Sequence, residues 1–156
     1  MLHSIFSLER QVTGILRDIG VPAHLMGYRY LREAIVLTVN NMSLLDAVTK
    51  KLYPAVAKAY DTTPSRAERA MRTAIGAAWK RGDEQALKMH FGNAVCLSDK
   101  PTNSEFIAMV ADQLMLERKE LEGGYGRAHS IPNEGPSRYG SGGSQANPTA
   151  SKPTIS

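Results

Sequence analysis

Apolar residues recur three or four positions apart through the first 122 residues of the chain, and Gly, Pro, Ser or Thr interrupts this pattern at intervals. This spacing places apolar side chains on one face of an α-helix, because the helix completes a turn about every 3.6 residues. No segment alternates convincingly between apolar and polar residues, which is the pattern of a half-buried β-strand. We therefore expect an all-α fold.

Local signals predict where the first three helices begin and end. Gly20 should end the first helix, because glycine is favoured just after a helix C-terminus. A second helix should continue as far as Asn41. Ser43 and Asp46 have the spacing of a capping box, with Asp in place of the usual Glu, and should open a third helix.

Pro54 should break or kink this third helix near Tyr53, because proline lacks a backbone N–H and clashes with the preceding turn. A short piece then precedes the next helix, for which Thr63 is a good N-cap and Pro64 a good first residue. This fourth helix should continue to Arg81 and end at Gly82.

Two further helices follow. A short helix is expected over Glu84–Phe91. Thr102 and Glu105 form a full capping box before the last helix. The expected packing stripe of that helix consists of Phe106, Val110, Leu114 and Leu121.

The C-terminal segment has a different composition. Residues 123–156 contain 7 Gly, 4 Pro and 6 Ser, with few large apolar side chains. Such a segment buries too little apolar surface to offset a loss of backbone entropy of about 1–2 kcal/mol per residue. We interpret residues 1–122 as a single helical domain and residues 123–156 as a disordered Gly/Ser/Pro-rich tail.

Several functional classes are disfavoured. The single cysteine, Cys96, cannot form an internal disulfide, which favours a cytoplasmic protein. The four histidines lack metal-site spacing, so we expect no metal ion. Nucleotide-binding and nucleophile motifs are also missing, so we expect neither an enzyme nor a cofactor. No run approaches the roughly 18 apolar residues needed to cross a bilayer, so we expect no membrane segment.

Positive charge is concentrated in one segment. The whole chain carries a net charge of +4, but residues 50–81 contain eight basic and two acidic residues, a net charge of +6. The rest of residues 1–122 is acidic. A basic segment within an acidic domain is typical of a surface that faces phosphates. The cations expected to attract DNA independently of sequence are Lys50, Lys51, Lys58, Lys80 and Arg81.

A helical wheel divides residues 64–81 into two faces. The apolar face consists of Ala67, Ala70, Met71, Ala74, Ile75 and Ala78, with Trp79 near its border and expected in the core. The opposite face consists of Ser65, Arg66, Glu68, Arg69, Arg72 and Thr73. Arginine can bind guanine through two hydrogen bonds, and a carboxylate can accept one from cytosine. This face therefore suits a helix that lies in the major groove of DNA.

A two-turn helix over residues 54–60, a short turn and a longer helix also match the helix-turn-helix layout. The turn sequence contains no glycine, although many such turns do. An amphipathic bundle helix with a solvated arginine face would show the same pattern, so the pattern by itself leaves both interpretations open.

Three collinear blocks carry a resemblance to a known family: IGVPAHLMGYRYLREAI (residues 19–35), LYPAVAKAYDTTPSRAERAMRTAIGAAWKRG (52–82) and KPTNSEFIAMVADQLMLE (100–117). They resemble the C-terminal effector domain of the stage-zero sporulation response regulator of endospore-forming bacteria. The resemblance implies a compact six-helix DNA-binding domain that recognises a promoter box related to TGTCGAA. It also implies activation or repression of transcription, with two domains arranged head to tail on tandem boxes.

The resemblance also implies roles for individual residues. The recognition-helix positions of the family fall on Ser65, Arg66, Glu68, Arg69, Arg72 and Thr73, and the family carries histidine at the position of Thr73. In activating members a patch after this helix contacts the housekeeping sigma factor, and Phe91 and Val95 fall in that patch. The family has an N-terminal phosphoacceptor receiver domain. Nothing before Ile19 is suited to form one, so we expect DNA binding that does not depend on phosphorylation.

A second functional class fits the same fold. A protein-interaction module could bind sigma factor or antagonise a full-length regulator, through residues 106–121 or residues 91–97. Such a module would have no reason to keep Arg66, Arg69 and Arg72 exposed. The arginine face therefore favours a DNA-binding transcriptional regulator.

Overall fold

The computed structural model describes residues 2–93 and 99–122. Within these ranges the chain forms no β-strand and six α-helices: α1 (Leu2–Asp18), α2 (Met26–Asn40), α3 (Tyr53–Ala59), α4 (Pro64–Arg81), α5 (Glu84–Phe91) and α6 (103–122). The expected all-α, six-helix fold is confirmed. The predicted tail, residues 123–156, lies outside the described residues.

The first two helices are joined by a turn at Gly20. This residue has a φ angle of +89°, a left-handed conformation that glycine adopts at little cost. The N–H of Val21 donates to the carbonyl of Leu16 at 2.9 Å, which satisfies one of the last carbonyls of α1. The predicted end of α1 at Gly20 is confirmed.

The segment between α2 and α3 differs from the predicted third helix. It forms a 3-10 turn over Met42–Ala47 and a π turn over Val48–Leu52. The capping box expected at Ser43 is wrong, because the side chain of Asn41 is the cap. It accepts hydrogen bonds from the backbone N–H of Ser43 at 3.2 Å and from its hydroxyl at 2.6 Å. The Ser43 hydroxyl thus donates to Asn41, two residues earlier, and does not cap the N–H of Asp46.

The predicted break near Tyr53 is confirmed, since α3 begins at that residue. The N–H of Tyr53 donates to the carbonyl of Val48, which closes a wide turn just before Pro54. Proline has no N–H to give to the carbonyl of Lys50, and a regular α-helix across this point would lose that hydrogen bond. The wide turn joins two differently hydrogen-bonded segments on either side of the proline.

α3, a tight turn and α4 follow one another in the order and lengths of a helix-turn-helix. Asp61 takes the left-handed conformation in the turn, with φ of 53°, where a glycine is more common. The N–H of Thr62 donates to the carbonyl of Ala57 at 2.9 Å. The Thr63 hydroxyl then accepts from the N–H of Arg66 at 3.2 Å, which confirms the predicted N-cap of α4.

The core of the domain is assembled around α4. One face of this helix is fully buried, and α2 crosses it closely at Gly27. Trp79, 6% exposed, stacks on Phe91 and meets the edge of Phe106, with ring centroids 6.5 Å and 6.1 Å apart. The expectation that Trp79 belongs to the core is confirmed. This aromatic cluster joins α4, α5 and α6.

α6 begins as its capping box predicts. The N–H of Thr102 donates to Glu105 Oε1 at 2.9 Å, and the N–H of Glu105 donates to Thr102 Oγ1 at 3.2 Å. Phe106, Val110 and Leu114 are fully buried as expected.

Leu121 does not belong to this stripe, because it is 73% exposed. None of the described helices combines the length and apolar character needed to cross a membrane.

Candidate nucleic-acid interface

The two faces predicted for α4 are observed. Five of the six residues of the predicted apolar face are fully buried, and the sixth, Ala70, is half-buried beside α2. On the opposite face Ser65, Arg66, Arg69, Arg72 and Thr73 are exposed, and Glu68 is half-buried. The structure therefore brings all six predicted recognition positions onto one side of one helix.

Arg66 and Arg69 are exposed cations on this face of α4. Neither guanidinium makes an ion pair with any residue that the structure describes. Both side chains are exposed and begin on a helix whose other side is anchored in the core. Each therefore offers its full set of N–H donors to an acceptor outside the domain.

Glu68 and Arg72 are instead paired with each other. The carboxylate of Glu68 binds the guanidinium of Arg72 one helical turn further along. Opposite charges four residues apart stabilise a helix by about 0.2–0.5 kcal/mol. To contact bases, these two side chains must give up their ion pair and form hydrogen bonds to DNA in its place.

The remaining predicted cations lie at different places around α4. Lys80 is exposed three turns beyond Arg69, on the same side of the helix. Arg81 lies on the flank, where its Cδ is 3.2 Å from the position that a Cβ on Gly20 would occupy. Lys58 is exposed on α3, and Lys50 and Lys51 are exposed on the π turn before it.

Lys100 is a cation of this surface that sequence reasoning missed. Its ammonium nitrogen lies 3.6 Å from the position that a Cβ on Gly76 would occupy. Gly76 is on the same side of α4 as Arg69 and Lys80. Because Gly76 has no side chain, the Lys100 side chain occupies the space above it. Gly76, a glycine in the middle of the polar face of α4, was the sequence signal that another part of the chain lies close to this face.

Two other helices begin beside α4, one on each side. A groove on one side is lined by Leu25, Met26, Arg66 and Thr73, and contains the start of α2, which has no side-chain cap. A pocket on the other side contains the start of α6. Helix N-termini carry partial positive charge, so both flanks of the arginine face favour anions.

Tyr53 lines the pocket at the start of α6, and the pKa of its hydroxyl is raised. Burial is the main cause that raises the pKa of its hydroxyl, with a smaller opposing effect of the hydrogen bond from Asn103. The hydroxyl accepts that bond from Asn103 Nδ2 at 3.2 Å. A tyrosine is protonated near neutral pH even at its usual pKa of 10, so this hydroxyl also keeps an O–H to donate.

The two residues expected to contact sigma factor have different outcomes. Phe91 is half-buried and packs against Trp79 and Phe106, so much of its ring serves the core. Val95 lies outside the described residues. The structure therefore shows a packing role for Phe91 in addition to any surface role.

A comparison with protein families agrees with this geometry. The family model described as "Sporulation initiation factor Spo0A C terminal" matches residues 12–114, from the middle of α1 to the buried half of α6. The match includes α3, the turn, α4 and the pocket at the start of α6. The chain therefore belongs to the family of Spo0A C-terminal domains, the DNA-binding effector domains of sporulation transcription regulators.

Proposed function

We propose that this domain regulates transcription by binding a short promoter box sequence-specifically, with α4 in the major groove. One observation carries the proposal. Arg66 and Arg69 project from α4 without an ion-pair partner among the described residues, while the opposite face of the helix is held in the core. A rigid helix with two unpaired guanidiniums can donate paired hydrogen bonds to guanine O6 and N7.

The neighbouring positions suit other base edges. Glu68 can accept from cytosine N4, and the release of Arg72 from their ion pair would then provide a third guanidinium for a base or a phosphate. Ser65 and Thr73 are short enough to let the helix approach the bases, and the Thr73 methyl can contact a thymine methyl group. Together these groups match the mixed composition of a box related to TGTCGAA.

The flanking cations serve affinity more than sequence preference. Lys58, Lys80 and Arg81 lie around α4, and Lys50 and Lys51 precede α3. Contacts of such side chains with phosphates are independent of sequence and weaken as salt rises.

Fluorescence anisotropy tests the proposal. A labelled duplex that contains the box and a scrambled duplex of the same composition are titrated with the wild type, Arg69→Ala and Arg10→Ala. Arg10 is an exposed arginine of α1 and serves as the matched control for charge. If Arg69 contacts a guanine, its loss should cost about 1–3 kcal/mol on the box and much less on the scrambled duplex.

Two outcomes would contradict this assignment. Equal losses on both duplexes would make Arg69 a phosphate contact. A wild-type protein without preference for the box would reject sequence-specific binding through α4. Arg10→Ala should change neither affinity by more than a small amount.

The head-to-tail arrangement on tandem boxes belongs to the same proposal. It is tested by the stoichiometry of binding to duplexes with one box and with two adjacent boxes. Two domains that contact each other should bind the double box with positive cooperativity, and a change in the spacing between the boxes should abolish it.

Sigma-factor binding is the second candidate function, and α5 is the surface that favours it. Met89 on this helix is 73% exposed, unusual for a large apolar side chain. Met89→Ser should weaken binding to purified housekeeping sigma factor without loss of stability. Phe91→Ala, by contrast, should destabilise the fold, because Phe91 packs on Trp79 and Phe106. Undiminished sigma-factor binding by the Met89 variant would reject α5 as the contact.

A further inference from the structure

Asn103, the first residue of α6, connects this helix to both α3 and α4. It is only 5% exposed. Its Nδ2 donates to the hydroxyl of Tyr53, the first residue of α3, at 3.2 Å and to the backbone carbonyl of Glu68 in α4 at 3.0 Å. These two acceptors fix the orientation of the amide, because only its NH₂ group can donate to a carbonyl. One side chain therefore joins the starts of α3 and α6 to a fixed point of α4.

The acceptor in α4 is a backbone atom, so the bond from Asn103 acts on the whole helix and not on one side chain. In a regular α-helix the carbonyl of Glu68 also accepts from the N–H of Arg72, four residues further along. A carbonyl oxygen has two lone pairs and can accept both bonds. Without Asn103 this carbonyl would still be satisfied within α4, and only the link from α4 to α3 and α6 would be lost.

Stability alone does not account for an amide at this position. Asn103 Oδ1 is closed to solvent and receives no hydrogen bond from any residue that the structure describes. A buried acceptor without a donor destabilises the folded state, whereas apolar groups of the same shape in place of a hydrogen-bonded pair can be nearly neutral. An apolar side chain would avoid this loss of stability but could not make a directional bond to α4. The amide is therefore better explained by the position that it imposes on α4.

A second contact holds α4 from another flank. α2 meets the backbone of α4 at Ala70, where Gly27 has no room for a side chain. Successive residues of an α-helix lie about 100° apart around its axis, so Glu68 and Ala70 lie about 200° apart, with Arg69 midway between them. The Asn103 bond on one flank and the Gly27 crossing on the other therefore fix the rotation of α4 about its own axis, and with it the direction of Arg69.

We propose that Asn103 is a positioning residue for the sequence-specific DNA binding described under Proposed function, on which this role rests. Asn103 itself does not contact DNA. Its bonds to Glu68 and Tyr53 set the rotation of α4 relative to α3. That rotation keeps the guanidiniums of Arg66 and Arg69 aligned with the base edges, so Asn103 determines the preference for the box through α4.

A small rotation of α4 is enough to affect base contacts. A side-chain group about 6 Å from the helix axis moves by about 1 Å when the helix rotates by about 10°. Paired hydrogen bonds to guanine O6 and N7 have donor–acceptor distances of about 2.7–3.2 Å, so a shift of this size breaks at least one of them. Exposed lysines such as Lys58 and Lys80 have flexible stems and can still reach a phosphate. Loss of the Asn103 bonds should therefore reduce the preference for the box more than the general affinity for DNA.

Asn103→Leu combined with Tyr53→Phe tests this role without a large change in stability. The double variant removes the hydrogen bond and the unsatisfied Oδ1 together, so its melting temperature should stay close to that of the wild type. Its affinity for the box should fall about tenfold, as for the loss of one base contact, and its affinity for the scrambled duplex by less than about twofold. Asn103→Ala, which adds no bulk, should lose the same preference. An unchanged preference in these variants would overturn the proposal.

Thr102→Ala is the matched control at the adjacent residue. It removes the hydroxyl that caps α6 and should lower the melting temperature, but it leaves both acceptors of the Asn103 amide in place. Its ratio of affinities for the box and the scrambled duplex should equal that of the wild type, measured where every variant is folded. If Thr102→Ala loses as much preference as the Asn103 variants, the loss follows from a weakened α6 and the proposal is wrong.

Residual dipolar couplings of the backbone amides measure the orientation of α4 relative to α2 and α3 without DNA. The couplings of the double variant should require a rotated α4, whereas those of Thr102→Ala should fit the wild-type arrangement. A loss of preference without rotation would contradict the stated mechanism. A wild type that binds both duplexes equally would reject the proposed function, and the positioning role with it. A preference that the wild type and the double variant share would reject the positioning role alone.

Discussion

Gly27 of α2 lies directly against the backbone of Ala70 in α4. A Cβ atom on Gly27 would stand 2.1 Å from the carbonyl oxygen of Ala70 and 2.8 Å from the Cβ of Ala74. No side chain fits at this crossing. The close approach holds the half-buried side of α4 against α2.

Gly27→Ala should therefore destabilise the domain by at least about 2 kcal/mol, because the methyl group forces two helix backbones apart. Urea unfolding followed by circular dichroism measures the change. Affinity for DNA should also fall at temperatures where the variant is still folded, since α4 is displaced.

Gly76→Ala is the matched control, a glycine-to-alanine change inside a helix without a close neighbour. Its new Cβ would lie 3.6 Å from the Lys100 ammonium nitrogen, an ordinary contact. Alanine favours helices over glycine by about 0.5–1 kcal/mol, so this variant should be more stable than the wild type. Equal effects of the two substitutions would contradict the described crossing of α2 and α4.

Thr63→Ala should cost about 1 kcal/mol of stability, because the hydroxyl that accepts from the N–H of Arg66 is lost at the start of α4. Thr63→Ser keeps the oxygen and should retain most of the stability. The two variants are compared by thermal unfolding. A serine variant as unstable as the alanine variant would show that the cap is not the cause.

Glu68→Gln removes the partner of Arg72. Stability should fall by no more than about 0.5 kcal/mol, since the pair lies on a largely exposed helix surface. Affinity for scrambled DNA should rise, because one negative charge is removed from the basic face, while the preference for the box should decrease. Anisotropy on both duplexes measures the ratio. An increased preference for the box would exclude Glu68 as a base contact.

Glu33 provides a pH-dependent prediction away from the interface. Burial, and then the neighbouring Glu9, raises the pKa of Glu33 above its usual value of 4.5. The folded state thus binds this proton more tightly than the unfolded state, and the resulting stabilisation is present below pH 4.5 and is lost as pH rises through the folded pKa.

Glu33→Gln should consequently stabilise the domain at pH 7, by less than about 1 kcal/mol because solvent screens this half-exposed group, and should have little effect near pH 4. Urea unfolding at both pH values measures the difference. Glu120→Gln, at an exposed position of α6, is the control. A gain that is larger at pH 4 than at pH 7 would contradict the stated cause.

The parts of the fold that depend on residues close together in the sequence were predictable from the sequence. The cap at Thr63, the capping box of Thr102 and Glu105, and the glycine ends at Gly20 and Gly82 rest on short-range hydrogen bonds and on backbone freedom. The exposed face of α4 follows from helical periodicity together with the burial of the alanines opposite.

Features that depend on competition or on tertiary packing were not predictable. Asn41 and Ser43 are both possible caps in the sequence. In the structure the Asn41 side chain accepts the hydrogen bonds of Ser43, so Ser43 does not act as a cap itself. Lys100 reaches α4 only because α6 begins beside that helix. Asn103 donates hydrogen bonds to the Tyr53 hydroxyl and to the backbone carbonyl of Glu68, and both acceptors are far from it in sequence. These contacts join residues far apart in the chain.

The 3-10 turn over Met42–Ala47 contains no buried residue, whereas six residues of α4 are buried. Amide hydrogens in the turn should exchange with solvent through local opening, while those in the centre of α4 should exchange only when the whole domain unfolds. The basic residues Lys50 and Lys51 lie in the next segment, Val48–Leu52, beside this region of low expected stability. If the proposed function is correct, they can adjust to a bent or locally widened duplex while the orientation of α4 is conserved.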